Sequence, residues 1–170
     1  MTQPILVLTT GGTIDKAYFD ALSEYQIVDS GIPALLKEAR VALPFRVVEL
    51  MRKDSLELTE ADRALIASAA REAPESRIVV THGTDTMTET AKVLAAEVPG
   101  KTVVLTGALS PARFAETDAP FNLGMAFATA QVAAPGIYIA MSGEVFDGLK
   151  VKKDRAAGKF VAVDQKFTAA

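Results

Sequence analysis

The sequence predicts a single α/β domain: a mostly parallel open sheet covered by helices on both faces, a Rossmann-like three-layer arrangement. Two observations carry this expectation. Short β-branched runs alternate repeatedly with helix-length segments, and strands that alternate with helices build parallel sheets buried on both sides. Two of those runs, Ile5-Leu6-Val7-Leu8 and Ile78-Val79-Val80, lead into loops rich in threonine and glycine, Thr9-Thr10-Gly11-Gly12-Thr13 and Thr81-His82-Gly83-Thr84-Asp85-Thr86. Ligands of open α/β sheets bind at the carboxyl ends of the strands, so both loops are expected to face one pocket.

Taken in order, 5–10 is the first strand and 18–29 an irregular polar stretch. Ser30 is the expected N-cap of a helix over 32–41, with Pro33 in its first turn. A short strand over 45–50 ends in the polar loop Arg52-Lys53-Asp54-Ser55. Thr59 caps the next helix, Glu60 and Asp62 place negative charge in its first turn, and Pro74 closes it after residue 72. A strand at 77–81 and a helix over 85–97 follow, broken by Pro99-Gly100. A strand at 102–106, a loop over 107–120, a helix over 121–133 and a strand at 137–141 complete the alternation. Beyond it, 145–148 reads as a turn and 160–163 as a short edge strand. Residues 1–165 are expected to form one domain, 166–170 a frayed tail, with no second domain.

Composition narrows the function. The 170 residues carry a net charge of -3, are 49% hydrophobic and 23% charged, and include no cysteine. Absent cysteine excludes disulfides, thiolate metal sites and cysteine nucleophiles. Acidic and basic residues are mixed along the chain, so no nucleic-acid partner is expected. The apolar run near the N-terminus breaks at Gly11-Gly12, too short for a signal segment. The uncharged stretch 119–143 is divided by Pro120, Asn122, Gln131, Pro135 and Gly136, which excludes an unbroken membrane span of ~20 residues. A cytoplasmic location with no membrane partner is the expectation.

The loops carry the chemistry. Gly11 and Gly12 permit a tight turn and free backbone N–H groups to stabilise an oxyanion. The three-glycine dinucleotide fingerprint and the Walker spacing are both missing. Thr84 and Asp85 stand where a helix is expected to begin, Thr84 as its N-cap, and that helix N-terminus would also receive a carboxylate. His82 is the only histidine; alone it makes neither a Ser-His-Asp triad nor a histidine-rich metal site. Lys150, Lys152 and Lys153 follow an Asp-Gly turn, and a lysine buried beside an aspartate serves a base or its support.

The strings Thr9–Asp15 and Val79–Ala91, with Val103–Pro111, Ala115–Leu123 and Val145–Asp154, together resemble the bacterial-type L-asparaginase/glutaminase family. The similarity runs from residue 5 to about 154, to the family's N-terminal catalytic domain, and is to its short single-domain members. The resemblance implies that Thr13 is the acyl-accepting nucleophile, Thr84 and Asp85 the second catalytic pair, and Lys153 the lysine completing it. It implies that a tyrosine on the loop after the first motif assists, with Tyr18 and Tyr25 as candidates. It places Gly12, Asp54, Ser55 and Gly83 against the substrate. The family commonly has Ser-Gln-Asp where this chain reads Arg52-Lys53-Asp54-Ser55; Asp54 then receives the ammonium, and Ser55 supplies a displaced hydroxyl.

The function this implies is hydrolysis of L-asparagine to L-aspartate and ammonia through a threonine-linked acyl-enzyme, with no metal or cofactor required. The alternatives are the amidase subunit of a tRNA-dependent amidotransferase and a non-catalytic amino-acid sensor. The helix over 121–133 has no charge on any face. A helix apolar all round needs cover on both sides, so a homodimer or homotetramer is expected, with Gly124, Ala126, Ala128 and Ala130 at a close two-fold contact.

Overall fold

A computed structural model of the chain describes residues 3–19 and 23–163. At its centre is a six-stranded sheet. Its strands are β1 (Ile5–Gly11), β4 (Phe45–Lys53), β5 (Arg77–Thr81), β6 (Thr102–Thr106), β7 (Gly136–Met141) and β8 (Glu144–Asp147), in the order β4-β1-β5-β6-β7-β8. All neighbours are parallel except β7 and β8. The expected α/β architecture is therefore the one observed.

Side-chain alternation along β1 explains the layers. Leu6 and Leu8 point to one face, where they meet Ile66 and Ala70 of α2 (Glu60–Glu72) and Met87 and Leu94 of α3 (Met87–Glu97). Ile5 and Val7 point to the other face and meet Ile32 and Leu36 of α1 (Ile32–Glu38) and Leu123 and Phe127 of α4 (Ala119–Val132). Strands buried on both faces read as unbroken apolar runs. The edge strand β4 instead shows exposed Arg46, Glu49 and Arg52, charges that guard an unpaired edge.

Several element boundaries differ from the sequence expectation. The stretch expected to be irregular is an antiparallel hairpin, β2 (Lys16–Phe19) against β3 (Glu24–Ile27); its tip, 20–22, lies outside the described residues. Residues 145–147, expected in a turn, are strand, since β8 pairs with β7 through Tyr138 opposite Asp147; the turn begins only at Gly148, closed by the Lys150 N–H donating to the Asp147 carbonyl. Strand β4 runs on to Lys53, so Arg52 and Lys53 belong to it rather than to a loop. Helix α1 ends at Glu38, before Arg40 adopts a positive φ of 51°. A two-stranded ribbon, β9 (Val151–Asp154) with β10 (Lys159–Ala162), packs Val151 and Phe160 onto the α3 side of the core. The tail expected to fray, 166–170, lies outside the described residues. Among those residues no helix is long and apolar enough to cross a membrane.

Candidate active site

The sheet order reverses at β1: the next strand of the sheet, β4, lies on one side of it and β5 on the other. Such a switch point leaves a crevice at the carboxyl ends of the two strands it separates. The loops Gly11-Gly12-Thr13 and His82-Gly83-Thr84 both open there. They touch through backbone. Gly12 has φ 84°, and a Cβ placed on it would stand 2.5 Å from the nitrogen of Gly83. A Cβ on Gly83 would in turn stand 2.6 Å from Ser55 Oγ. Only glycine permits both the left-handed backbone and this approach. The Gly12 N–H donates to the Lys53 carbonyl at 2.9 Å, so the ends of β1, β4 and β5 are drawn together at one point.

Thr84, Asp85 and Lys153 form one connected group. Lys153 is central in β9, only 16% exposed. Its Nζ donates to Thr84 Oγ1 at 2.7 Å and to Asp85 Oδ1 at 2.7 Å. The expectation that Thr84 caps a helix is corrected here. Helix α3 begins at Met87 after Thr86, and its N-cap makes no side-chain hydrogen bond. Thr84 and Asp85 sit in the turn before it, and the contact with Lys153 outweighs their local preference for a cap. Lys150 is 70% exposed and pairs loosely with Asp147 at 3.8 Å, while Lys152 is exposed.

Thr13 opens a single helical turn, Thr13–Asp15, and lines a cavity of about 340 Å³ with Lys16, Tyr25, Leu109, Ser110, Pro111 and Phe114. Tyr25 is thus the candidate tyrosine that shares this cavity with Thr13. Tyr18 packs behind it, ring centroids 5.1 Å apart, and Tyr25 leans on Phe114 at 6.1 Å. The wall over 107–118 is held by Asp118, which accepts from the N–H groups of Leu109 and Ser110. A cavity of similar size, about 350 Å³, opens at the amino end of the sheet and is lined by Lys101, Tyr138 and Asp147 among others; there Lys101 donates to the Ala70 and Ala73 carbonyls and Tyr138 to the Ala134 carbonyl, so its polar groups serve the backbone and, among the described residues, form no connected group like that of Thr84, Asp85 and Lys153.

Asp54 and Ser55 complete the crevice. Asp54 caps the 55–57 turn by accepting from Leu56 N–H at 3.1 Å and pairs with Lys16 at 3.0 Å. Burial pushes its carboxyl upward, but the Leu56 N–H, Lys16 and Lys153 together hold it below the usual range. Ser55 is buried against Gly83, and its hydroxyl has no hydrogen-bond partner among the described residues. Buried hydroxyls are normally satisfied, so an unmatched one at a crevice asks for a reason.

Three residues stand out that the sequence reading passed over. Lys16 is the partner of Asp54. Asp15 is a buried carboxylate at the base of the hairpin, accepting from Ser30 Oγ at 3.0 Å and Gly31 N–H at 3.1 Å. Burial is the chief cause that pushes its pKa up to about 6. Thr90 sits at 2.7 Å from Nε2 of His82, whose Nδ1 meets the Gly83 carbonyl at 2.7 Å. Burial lowers the His82 pKa to about 4. A neutral ring that donates to the carbonyl accepts from Thr90, so His82 steadies the Gly83 peptide as a structural residue. No local signal marked Asp15, because its burial comes from distant partners, Ser30 and Gly31.

Known proteins share this arrangement of strands and loops. A sequence model described as asparaginase, N-terminal, matches residues 4–166. The L-asparaginase of Thermococcus kodakarensis is 34% identical over 163 residues, 91% of this chain and 48% of that protein. A solved structure of the thermostable L-asparaginase from that organism superposes with TM-score 0.82 at 31% identity, covering 94% of this chain and 51% of the other. A glutamyl-tRNA(Gln) amidotransferase component from Methanococcus vannielii is 30% identical over 171 residues, 88% of this chain and 38% of that protein. The chain thus spans about half the length of the curated L-asparaginase it matches.

Proposed function

The chain belongs to the asparaginase family, matched through that family's N-terminal domain, and on this premise we propose that it hydrolyses the side-chain amide of L-asparagine to L-aspartate and ammonia. The observation that carries the reading is the contact of Lys153 Nζ with both Thr84 and Asp85 at 2.7 Å. A threonine hydroxyl is a weak nucleophile and needs an activating network; a lysine brought from a distant ribbon to a threonine and an aspartate is such a network. Residues 1–165 are read as one domain carrying it.

In the proposed mechanism Thr13 Oγ attacks the amide carbon and its proton passes toward the leaving nitrogen. Backbone N–H groups of the two loops near Gly12 and Thr84 hold the developing oxyanion, the N–H of Gly12 itself being engaged by the Lys53 carbonyl. Ammonia leaves an acyl group on Thr13. Water, oriented by Thr84 with Lys153 and Asp85 behind it, cleaves the ester and returns the proton to Thr13. Tyr25 borders the nucleophile and Tyr18 supports its ring. Asp54 and Ser55 receive the amino-acid end of the substrate, with Gly12 and Gly83 forming the floor. No step calls for a metal or an organic cofactor. The amidotransferase reading has a relative on its side, but no basic face for tRNA is evident in the sequence. A reducing compartment suits a chain without cysteine, and we place the protein in the cytoplasm.

Release of ammonia from L-asparagine, L-glutamine and their D-isomers by the purified chain tests the proposal. L-Asparagine is expected to be preferred to L-glutamine by ~10–200-fold in kcat/KM, the range one methylene commands in a fitted site. Binding without turnover would favour the sensor reading, and equal specificity constants would remove the asparagine preference.

A further inference from the structure

Asp15 joins the turn of Thr13 to the hairpin that carries Tyr25. Its N–H closes that turn by donating to the Gly12 carbonyl at 3.1 Å. Its own carbonyl accepts from the Val28 N–H at 3.0 Å, one residue beyond β3. The residue is 2% exposed, and a single carboxylate oxygen, Oδ1, accepts from both Ser30 Oγ and the Gly31 N–H. Strand β2 starts at the next residue, Lys16, so both roots of the hairpin converge on Asp15. We propose that Asp15 is a positioning residue: its carboxylate fixes the root of the hairpin against the nucleophile's turn and so sets Tyr25 beside Thr13. The proposal rests on the hydrolase reading, in which Thr13 attacks and Tyr25 borders it.

Geometry makes the root a lever. Lys16 pairs with Ile27 at the root, and Tyr18 with Tyr25 two pairs further out, about 7 Å along strands that rise ~3.4 Å per residue. The outer pairs are exposed, so little packing resists a tilt that starts at the root. A misplacement of about 1 Å near reacting atoms can cost ~100-fold in rate. The clamp also depends on charge. An ionised carboxylate holds two donors more strongly than a neutral carboxyl does. Among the elements packed against Asp15, Arg113 of the 107–118 wall favours the ionised form and Glu49 of β4 opposes it. Glu49 is engaged by the Ser30 N–H and Arg52, Asp29 by Arg113, and Lys16 by Asp54. Burial outweighs these influences and raises Asp15 to about 6, so the clamp slackens in milder acid than an ordinary aspartate would require.

Kinetics on L-asparagine give the first test. Asp15→Ala should lower kcat by ~10–100-fold with KM little changed. Asp15→Asn, whose amide oxygen still accepts both donors, should recover most of that rate above neutral pH. Wild-type kcat should fall in acid with a midpoint of about 6, and Asp15→Asn should lose that limb. A double-mutant cycle reads the route: in a Tyr25→Phe background, Asp15→Ala should cost less than about threefold. Equal losses in both backgrounds, or the same acid limb in Asp15→Asn, would overturn the proposal. If Asp15→Ala fails to fold, Asp15→Asn takes its place in the cycle, read below pH 6 and above it. A second readout needs no turnover. The chain has three tyrosines, Tyr18, Tyr25 and Tyr138. With 3-fluorotyrosine incorporated, the Tyr25 fluorine resonance, assigned through Tyr25→Phe, should shift with a midpoint of about 6 in wild type and stay fixed in Asp15→Asn. The resonance of Tyr138, at the amino end of the sheet, should stay fixed in both. A Tyr25 resonance blind to the Asp15 proton overturns the positioning role. With no ammonia released from any amide, a Tyr25 resonance that still follows that proton supports the positioning and defeats the hydrolase reading alone.

Discussion

At the scale of single residues, two hydroxyls and one ammonium separate a catalyst from a well-made turn. Thr13 is half-buried in a short helical turn, where alanine fits without a clash. Thr13→Ala should therefore leave the melting curve unchanged and lower turnover by at least about a thousandfold, the scale of a deleted nucleophile. Near-normal turnover would reduce Thr13 to a loop residue. The three lysines give a sharper comparison. Lys153→Met removes both 2.7 Å contacts and should abolish activity. Lys150→Met and Lys152→Met touch exposed side chains and should change it less than about threefold. Equal small effects at all three positions would mean that the 150–153 segment is no more than a solvated basic strand.

At the scale of elements, local signals were legible where local forces decide. Thr59 was expected to cap α2, and it does so in a reciprocal box with Asp62. The strands Arg77–Thr81 and Thr102–Thr106 stand where their β-branched runs placed them. Elements held by tertiary contacts were not legible. The β2–β3 hairpin is mostly exposed and polar and depends on tyrosine stacking. Strand β8 is hidden by the Asp147-Gly148 signal, because its pairing comes from β7. The same divide runs through the site. Thr13, Thr84 and Asp85 announce themselves by their glycine loops, whereas Lys153 was singled out from its neighbours only by resemblance, and Lys16 by nothing. Helix α4 belongs to this scale too. Leu123, Ala126, Phe127 and Ala130 bury one face, so Ala126 and Ala130, expected at the two-fold contact, instead pack into the core, while Phe121, Gly124, Ala128 and Val132 remain exposed, and a Cβ at Gly124 would meet open space. We propose this face as a two-fold contact with a second copy of the chain. Gly124→Glu or Ala128→Glu should then convert a dimer or tetramer to monomers in sedimentation at micromolar concentration, and a wild-type monomer would refute it.

At the scale of the whole molecule, two buried ionisable groups oppose one another in acid. Asp15, raised to about 6 by burial, binds a proton in the folded state at pH values where the unfolded chain has released it. Its contribution is present below pH ~4 and is lost as pH rises through 6. His82, lowered to about 4, behaves oppositely: the unfolded chain takes up the proton first, so stability is lost as pH falls from about 6.5 toward 4. The slopes largely cancel across one window. Asp15→Asn removes one of them. Relative to wild type, the variant should gain up to about 3 kcal/mol between pH 4 and pH 7, roughly two units at 1.36 kcal/mol each. Denaturant titrations at both pH values read this directly, and a constant offset from the new amide drops out of the difference. Parallel pH profiles for the two proteins would show that Asp15 ionises normally.

The docking of β9 has a consequence in time as well as space. A ribosome delivers Thr13 first and Lys153 only after 140 further residues (153 − 13). By then β1, β4, β5, β6 and β7 have all been made, with the helices that cover them. A nascent chain can thus bury nearly all of its core and still lack the ammonium between Thr84 and Asp85. If the proposed mechanism holds, amide cleavage by nascent chains arrested behind an added unstructured C-terminal linker should appear only with linkers long enough for the 151–162 ribbon to clear the exit tunnel, later than protection from protease. On the proposed mechanism, birth of the fold and birth of the chemistry are separate events, and the interval between them is set by where Lys153 lies in the message.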